Sequence, residues 1–319
     1  MALLNIGILG FGTVGKATFE ILQERIDVIE ASVGDEIIVK KIFVRNKNKH
    51  NYDNIDANLF TDVISEVVED DSVDIIIEAT GDVGVVYEGI KVAIANGKHI
   101  ITANKEMVSR HFEELNQLAN KHDIQLKYEA AVGGAIPILC QIPKIRELNE
   151  IVEINGVLNG TCNFILSAME KGMDYNKALL DAQQAGFAEA DPTADVEAYD
   201  TVRKLRILAT LAFGVKVAED EITREGIINV SKKEIDTSKK NGMRIKLVAH
   251  AKKTKDGIEA FVKPTEVEIN SVLGGLEDGE NAVSVVCDNA GELVFKGKGA
   301  GGRPTAFSIL SDFLAIACK

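Results

Sequence analysis

The strongest constraint on this chain lies near its start. The apolar run Leu3–Leu9 leads into Gly10-Phe11-Gly12-Thr13-Val14-Gly15, and a helical pattern follows over residues 16–29. Glycines at this spacing, between a strand and a helix, build a turn on which a dinucleotide can lie. The first permits the tight turn and the second lets backbone approach a pyrophosphate. The third brings the helix onto the strand, with the phosphates at its N-terminus. A glycine-rich turn alone is common; the correct flanks give this one weight. Gly10, Phe11, Gly12, Thr13, Val14 and Gly15 are therefore candidate cofactor-binding residues.

The alternation that such a unit needs continues. Residues 36–44, 72–79, His99–Thr102 and 124–129 read as strands, with helical patterns at 85–96 and 106–121. Strands that are apolar throughout, alternating with helices, predict a parallel sheet covered on both faces. Thr80-Gly81 and residues 102–105 then fall at the carboxyl ends of strands, where ligands bind in such sheets. The second strand runs into Val44-Arg45-Asn46-Lys47-Asn48-Lys49. An acidic residue usually binds the ribose hydroxyls of NAD at this place. Arginine and lysine suit a 2′-phosphate instead, so NADP(H) is expected as the preferred cofactor, with NAD(H) also admitted. A solvated basic loop is the alternative.

After Glu129 the rhythm stops. Val132-Gly133-Gly134-Ala135-Ile136-Pro137 is a loop of small residues; residues 151–158 resemble a strand, and helices are expected near 164–171 and 176–186. Asp191-Pro192 reads as an N-cap with proline at the first helical position, starting a helix to about residue 212 that Gly214 ends. Asp200 and Lys204, four apart, share one face of that helix, together with Glu197. From spacing alone the pair reads equally as an exposed acid–lysine pair. A polar stretch (219–241) precedes strand-like runs at 244–252, 259–267, 282–288 and Gly291–Lys298, which imply a mostly antiparallel sheet. A second glycine-rich segment, residues 297–305, opens a final helix at 305–317. The fold class is thus α/β: a Rossmann-type parallel-sheet domain (1–135 plus 303–319) with a second α+β domain for substrate and dimerisation (136–302).

Bulk properties exclude several classes. The 36 basic and 49 acidic residues give a net charge of −13, which argues against nucleic acid and anionic membranes as partners. Four dispersed cysteines form no CxxC pair, and five scattered histidines have no ligand spacing. Both fit a reducing cytoplasm without a transition-metal centre. No apolar run has the length of a membrane span, and the chain enters a strand at once, leaving no room for a signal peptide.

Six ordered blocks covering essentially the full length resemble homoserine dehydrogenases: GFGTVG, ITANKE around Lys105, EAAVGGAIP at 129–137, GVLNGTCNFIL at 156–166, AGFAEADPTADVEAYDTVRKL at 185–205 and GKGAGGRPTA at 297–306. The resemblance implies reversible, NAD(P)-dependent interconversion of L-aspartate 4-semialdehyde and L-homoserine, on the route to threonine, isoleucine and methionine. It makes Lys204 the acid–base lysine, with Glu189 and Asp200 binding the amino-acid portion of the substrate. It implies that Lys105 lies by the nicotinamide and reacting carbon and that Gly186 and the loop from Gly299 to Gly301 contact the cofactor, as Thr80 is expected to. The substrate carboxylate needs donors, for which backbone N–H groups around Gly160 and Thr161 are candidates. Glu129, Val132, Gly134 and Ile136 match a segment that wraps a monovalent cation, Na⁺ or K⁺; a tight hinge is the alternative for that loop. Many family members carry a further ligand-sensing domain, and this chain ends at Lys319 without one, so feedback through such a domain is not expected. The last strands would leave an open sheet edge, closed in the family by dimerisation, so a homodimer or dimer-based oligomer is expected.

Two rivals remain on sequence alone. Other Rossmann-type reductases typically have Glu-Lys-Pro where this chain has Asn104-Lys105-Glu106, and the Asp200/Lys204 helix has no place in them. A nucleotide-sensing regulator would not need the acid–lysine set.

Overall fold

A computed structural model describes residues 3–47 and 55–318. Asn48, Lys49 and His50 lie outside the described residues. The chain divides into two compact units, residues 1–131 with 301–319, and residues 132–300.

The first unit holds β1 (Leu3–Leu9), α1 (Thr13–Glu24), α2 (Ile26–Val33), β2 (Glu36–Phe43), β3 (Phe60–Thr61), α3 (Ser65–Val68), β4 (Ile75–Glu78), α4 (Val85–Ala95), β5 (His99–Thr102), α5 (Lys105–Arg110), α6 (Phe112–Lys121), β6 (Leu126–Lys127) and the last helix, α13 (Gly302–Ala317). Its strands form one parallel sheet in the order β3-β2-β1-β4-β5-β6. Side chains alternate across it, Ile6, Ile8, Ile75 and Ile77 packing with Leu22 and Phe313 on one face, and Leu9, Ile76 and Ile100 with Ile90, Ile94 and Leu115 on the other. Because both faces are covered, the strands read as unbroken apolar runs. Strand order reverses between β1 and β4, which makes their carboxyl ends the binding edge of the sheet.

Two helices expected to be continuous are broken in this unit. The 16–29 pattern starts at Thr13 and is interrupted at Arg25, and the 106–121 pattern is interrupted at His111, whose φ of −119° departs from helix. The His111 ring stacks on Tyr87 at 3.9 Å, a tertiary contact that outweighs local propensity.

The second unit contains α7 (Gln141–Leu148), β7 (Ile151–Val157), α8 (Gly160–Glu170), α9 (Tyr175–Gln184), α10 (Thr193–Val196), α11 (Tyr199–Phe213), β8 (Thr223–Arg224), α12 (Lys232–Lys240), β9 (Met243–Thr254), β10 (Gly257–Glu268), β11 (Glu280–Cys287) and β12 (Gly291–Lys298). Its sheet runs β12-β11-β7-β9-β10-β8 and is antiparallel except at the short β8–β10 pair. The helix expected from Asp191 to about residue 212 is two helices. Val196 offers its carbonyl to the N–H of Ile227 (2.8 Å) rather than to the next helical turn, and Ala198 takes a left-handed φ of 67°. Gly226 is needed there, since a Cβ would lie 2.3 Å from the Val196 oxygen.

Lys246 shows how tightly this unit is packed. It sits in β9 with 1% exposure, and its ammonium donates to Asn163 Oδ1 (2.7 Å) and the Leu276 carbonyl (2.6 Å). Burial, helped by the Arg244 charge, pushes its pKa down from 10.5 to about 8. The folded state therefore binds fewer protons than the unfolded chain over this window, and stability rises with pH through it. Relative to Lys246→Met, the wild type should gain roughly 1–2 kcal/mol in unfolding free energy between about pH 8 and 9.5. Denaturant unfolding of both proteins at the two pH values checks this; parallel pH dependences would show a hydrated, unshifted lysine.

Candidate active site

In the second unit the acid–lysine pair is a buried one. Lys204 Nζ lies 2.7 Å from Asp200 Oδ2, with side chains 10% and 7% exposed. The same ammonium donates to the Leu158 carbonyl at 2.8 Å. Two of its three N–H groups are thus used among the described residues, leaving one for a ligand. Asn159 Nδ2 donates to Asp200 Oδ2 (3.1 Å) and to Asp195 Oδ1 (2.7 Å), while its Oδ1 caps α8 by accepting the Cys162 N–H. The end of β7, the start of α8, α10 and the start of α11 therefore meet at one polar cluster. Asp195 and the Asn159 side chain were not singled out in the sequence; the density of acids in residues 189–200 was the only signal. Burial raises the Cys162 thiol well above its ordinary pKa, so it is no nucleophile.

Thr161 Oγ1 donates to the Phe187 carbonyl at 2.6 Å, and the Phe187 ring stacks on Phe164 with centroids 4.8 Å apart. These contacts hold Gly160, Thr161 and the Gly186–Phe187 turn together. Gly186 has a φ of 76°. Glu189 is exposed and lies outside the hydrogen-bonded cluster. Glu197, expected on the Asp200/Lys204 face, ends α10 instead and faces Arg224 at 3.9 Å, because the break at Ala198 turns it away.

The first unit carries the glycine turn. Gly10 has a φ of 98°, and a Cβ there would lie 2.8 Å from the Ala79 carbonyl oxygen; a Cβ on Gly15 would strike the Gly10 oxygen at 2.1 Å. Gly12 has open space, as a position facing a ligand requires. No side chain caps α1, so its first N–H groups remain for an anion. Thr13 is exposed, Val14 packs against the core, and the Phe11 ring is buried against Phe60, so Phe11 offers a ligand only its backbone. Gly302 packs on Thr13, where a Cβ would meet its carbonyl oxygen at 3.0 Å, and this brings Gly301 to the same turn. These features fit a dinucleotide.

The Gly10 N–H donates to the Phe43 carbonyl at 2.9 Å, which puts the end of β2, and exposed Arg45 just beyond it, beside the glycine turn. Lys47 stands 4.0 Å from Asp62. Thr80 follows β4, and Lys105 opens α5 behind its cap Asn104, whose Oδ1 accepts the Met107 N–H. A fully buried carboxylate, Glu78, ends β4 beneath these turns; in the sequence it reads only as part of a strand.

In the 129–136 segment, Glu129 is buried with its N–H on Asp312 Oδ2 at 2.8 Å, and Val132, Gly134 and Ile136 are buried. Gly133 and Gly134 take left-handed φ values of 79° and 59°. A Cβ on Gly134 would collide with the Gly299 backbone at 2.5 Å, so packing alone also calls for glycine there.

Comparison with known proteins shows the family. Residues 10–129 match the family model for the homoserine dehydrogenase NAD binding domain, and residues 137–314 match that for homoserine dehydrogenase. The homoserine dehydrogenase of Helicobacter pylori is 39% identical over 317 residues, covering 99% of this chain and 74% of that protein. A solved homoserine dehydrogenase from Thiobacillus denitrificans superposes with a TM-score of 0.95 at 36% identity, over 99% of this chain and 74% of that one. A hyperthermophilic archaeal homoserine dehydrogenase in complex with NADPH matches with a TM-score of 0.82 at 26% identity, over 98% and 97% of the two chains. The chain belongs to the homoserine dehydrogenase family and is an NAD(P)-dependent oxidoreductase.

Proposed function

We propose that Lys204 is the acid–base group for reversible reduction of L-aspartate 4-semialdehyde to L-homoserine, and that the buried Lys204–Asp200 pair is the observation that carries this reading. The nicotinamide supplies the hydride when bound. As the aldehyde carbon is reduced, negative charge grows on its oxygen. An ammonium with one uncommitted N–H stabilises that charge and delivers the proton; in the reverse direction it accepts it. Asp200 holds Lys204 aimed, and the Leu158 carbonyl fixes the direction of its remaining donor. Glu189 and Asp200 supply carboxylate charge for the substrate ammonium, and the backbone N–H groups of Gly160 and Thr161, at the start of α8, serve its carboxylate. Lys105 stands beside the nicotinamide, Gly186, Gly301 and Thr80 line the cofactor, and the glycine turn takes its pyrophosphate.

The exposed Arg45 after β2 supports NADP(H) as the preferred cofactor, with NAD(H) accepted more weakly. A monovalent cation held by carbonyls of Glu129, Val132, Gly134 and Ile136 completes the reading. Consecutive left-handed glycines turn the backbone sharply there. The Ile136 oxygen, which accepts the Ile138 N–H, keeps a second lone pair. We further propose assembly as a homodimer, or an oligomer of dimers, through β12. This strand is outermost in its sheet and presents Val294 at 41% exposure. No helix among the described residues is long and apolar enough to cross a membrane, and the four cysteines are free, in keeping with a cytoplasmic enzyme.

Lys204→Met should lower turnover by roughly 10²–10⁴ while leaving NADPH affinity intact, because the proton donor is lost and the glycine turn is untouched. Steady-state rates with L-homoserine and NADP⁺, together with fluorescence titration of NADPH, check this; turnover at the wild-type level removes Lys204 from the chemistry. Arg45→Ala should weaken NADP⁺ by roughly ten- to hundredfold and NAD⁺ far less, as expected for loss of a charge-assisted contact. Dissociation constants for both nucleotides decide it, and equal losses would mean that Arg45 supports the loop or stacks on adenine.

A further inference from the structure

We propose that Glu78 is a positioning residue for hydride transfer, closing a ring of hydrogen bonds that joins the turns after β4 and β5 and thereby fixes Lys105. The inference rests on the reading of Lys105 as the residue beside the nicotinamide.

Glu78 ends β4 and Thr102 ends β5, and both are completely buried. Glu78 Oε1 accepts the N–H and the O–H of Thr80, each at 2.7 Å, and Oε2 accepts the O–H of Thr102. Each hydroxyl oxygen in turn accepts a backbone N–H: Thr80 Oγ1 from Asp82 at 3.0 Å, Thr102 Oγ1 from Asn104 at 2.9 Å. Asn104 Nδ2 donates to the Asp82 carbonyl at 2.9 Å, which closes the ring. The free end of Asn104, Oδ1, caps α5, whose first residue is Lys105.

The chemistry of the ring calls for a carboxyl group. Donors from Thr80, Gly81 and Thr102 converge on Glu78 from two turns, and a carboxylate accepts at both oxygens where an amide offers one acceptor and one donor. Packing does not call for it. The other three residues of β4 are Ile75, Ile76 and Ile77, and a buried acid that has no cationic partner among the described residues costs free energy that a fourth isoleucine would avoid. Burial pushes the Glu78 carboxyl above its ordinary range, while the Thr102, Thr80 and Gly81 donors oppose that rise. The cost falls at the carboxyl ends of two adjacent strands, the edge of the sheet where ligands bind. What the ring secures is the relative placement of Thr80 and Lys105.

The test compares Glu78→Gln, Thr102→Val and the double variant. Turnover, homoserine KM, NADPH affinity and the melting temperature are measured, with the primary isotope effect from NADPH deuterated at the transferred C4 position. Both side chains are nearly isosteric with the originals. Each single variant should lose roughly ten- to hundredfold in kcat, the scale of a small misplacement at the reacting centre, with homoserine KM unchanged. The isotope effect should rise as hydride transfer becomes more rate-limiting. The double variant should fall no further than the worse single one, since both break one ring. Wild-type kcat and isotope effect with lowered melting temperatures would overturn the proposal and leave the ring a structural brace. If Glu78→Gln does not fold, Thr102→Val decides by the same readouts. Lys105→Met separates the two levels. Wild-type turnover in it sinks the reading of Lys105 and this proposal with it; lost turnover there, with intact ring variants, sinks the role of Glu78 alone.

Discussion

The organisation of the second unit depends on one buried ion pair. Taking a lysine and an aspartate out of water costs several kcal/mol for each ion, recovered only when geometry is good and the remaining polar atoms are satisfied. Here Lys204 and Asp200 meet at 2.7 Å, and the Leu158 carbonyl and Asn159 amide supply further bonds. Asn159 passes the connection to Asp195 and to the N-terminus of α8. Two stretches distant in sequence, residues 158–162 and 195–204, are tied at this point. Removing Asp200 therefore leaves an uncompensated buried ammonium, costing about 3–5 kcal/mol, and takes away the carboxylate proposed to meet the substrate ammonium. Under the proposed roles stability and function are not separable at that residue, whereas Lys204 has a donor to spare for the proposed chemistry.

The first unit solves a different problem, presenting backbone to a dinucleotide without losing order at the sheet edge. Gly10 and Gly15 are glycines because the β1 turn, the β4 end and α1 approach closely, and Gly12 leaves open space at the turn. Turns built on glycine carry little side-chain packing. Order is supplied by polar bonds instead: the Gly10 N–H on Phe43, the Glu78 ring, and the Asn104 cap.

How much of this was legible in the sequence follows from the range of each interaction. The glycine turn, the parallel strands and the i,i+4 spacing of Asp200 and Lys204 are local patterns, and they stand in the structure where the pattern put them. The break at Ala198 was not legible, because it depends on Ile227 taking the Val196 carbonyl and on Gly226 lying against it. With that break went the expected place of Glu197. His111 interrupts its helix through a ring stacked on Tyr87, again a contact that no periodicity records. Glu78 was hidden for the opposite reason. An acid at the end of an apolar strand looks like the strand's exit to solvent, and only the turns folded above it show that it is enclosed.

The central claim is that Lys204 exchanges the proton at the reacting oxygen. The most direct measurement is a structure of the ternary complex with NADP⁺ and L-homoserine. Lys204 Nζ is expected within hydrogen-bond reach of the substrate hydroxyl, about 2.6–3.2 Å, with Asp200 still paired to it. A hydroxyl held by another acid–base group, with Lys204 out of reach and still committed to Leu158 and Asp200, would contradict it.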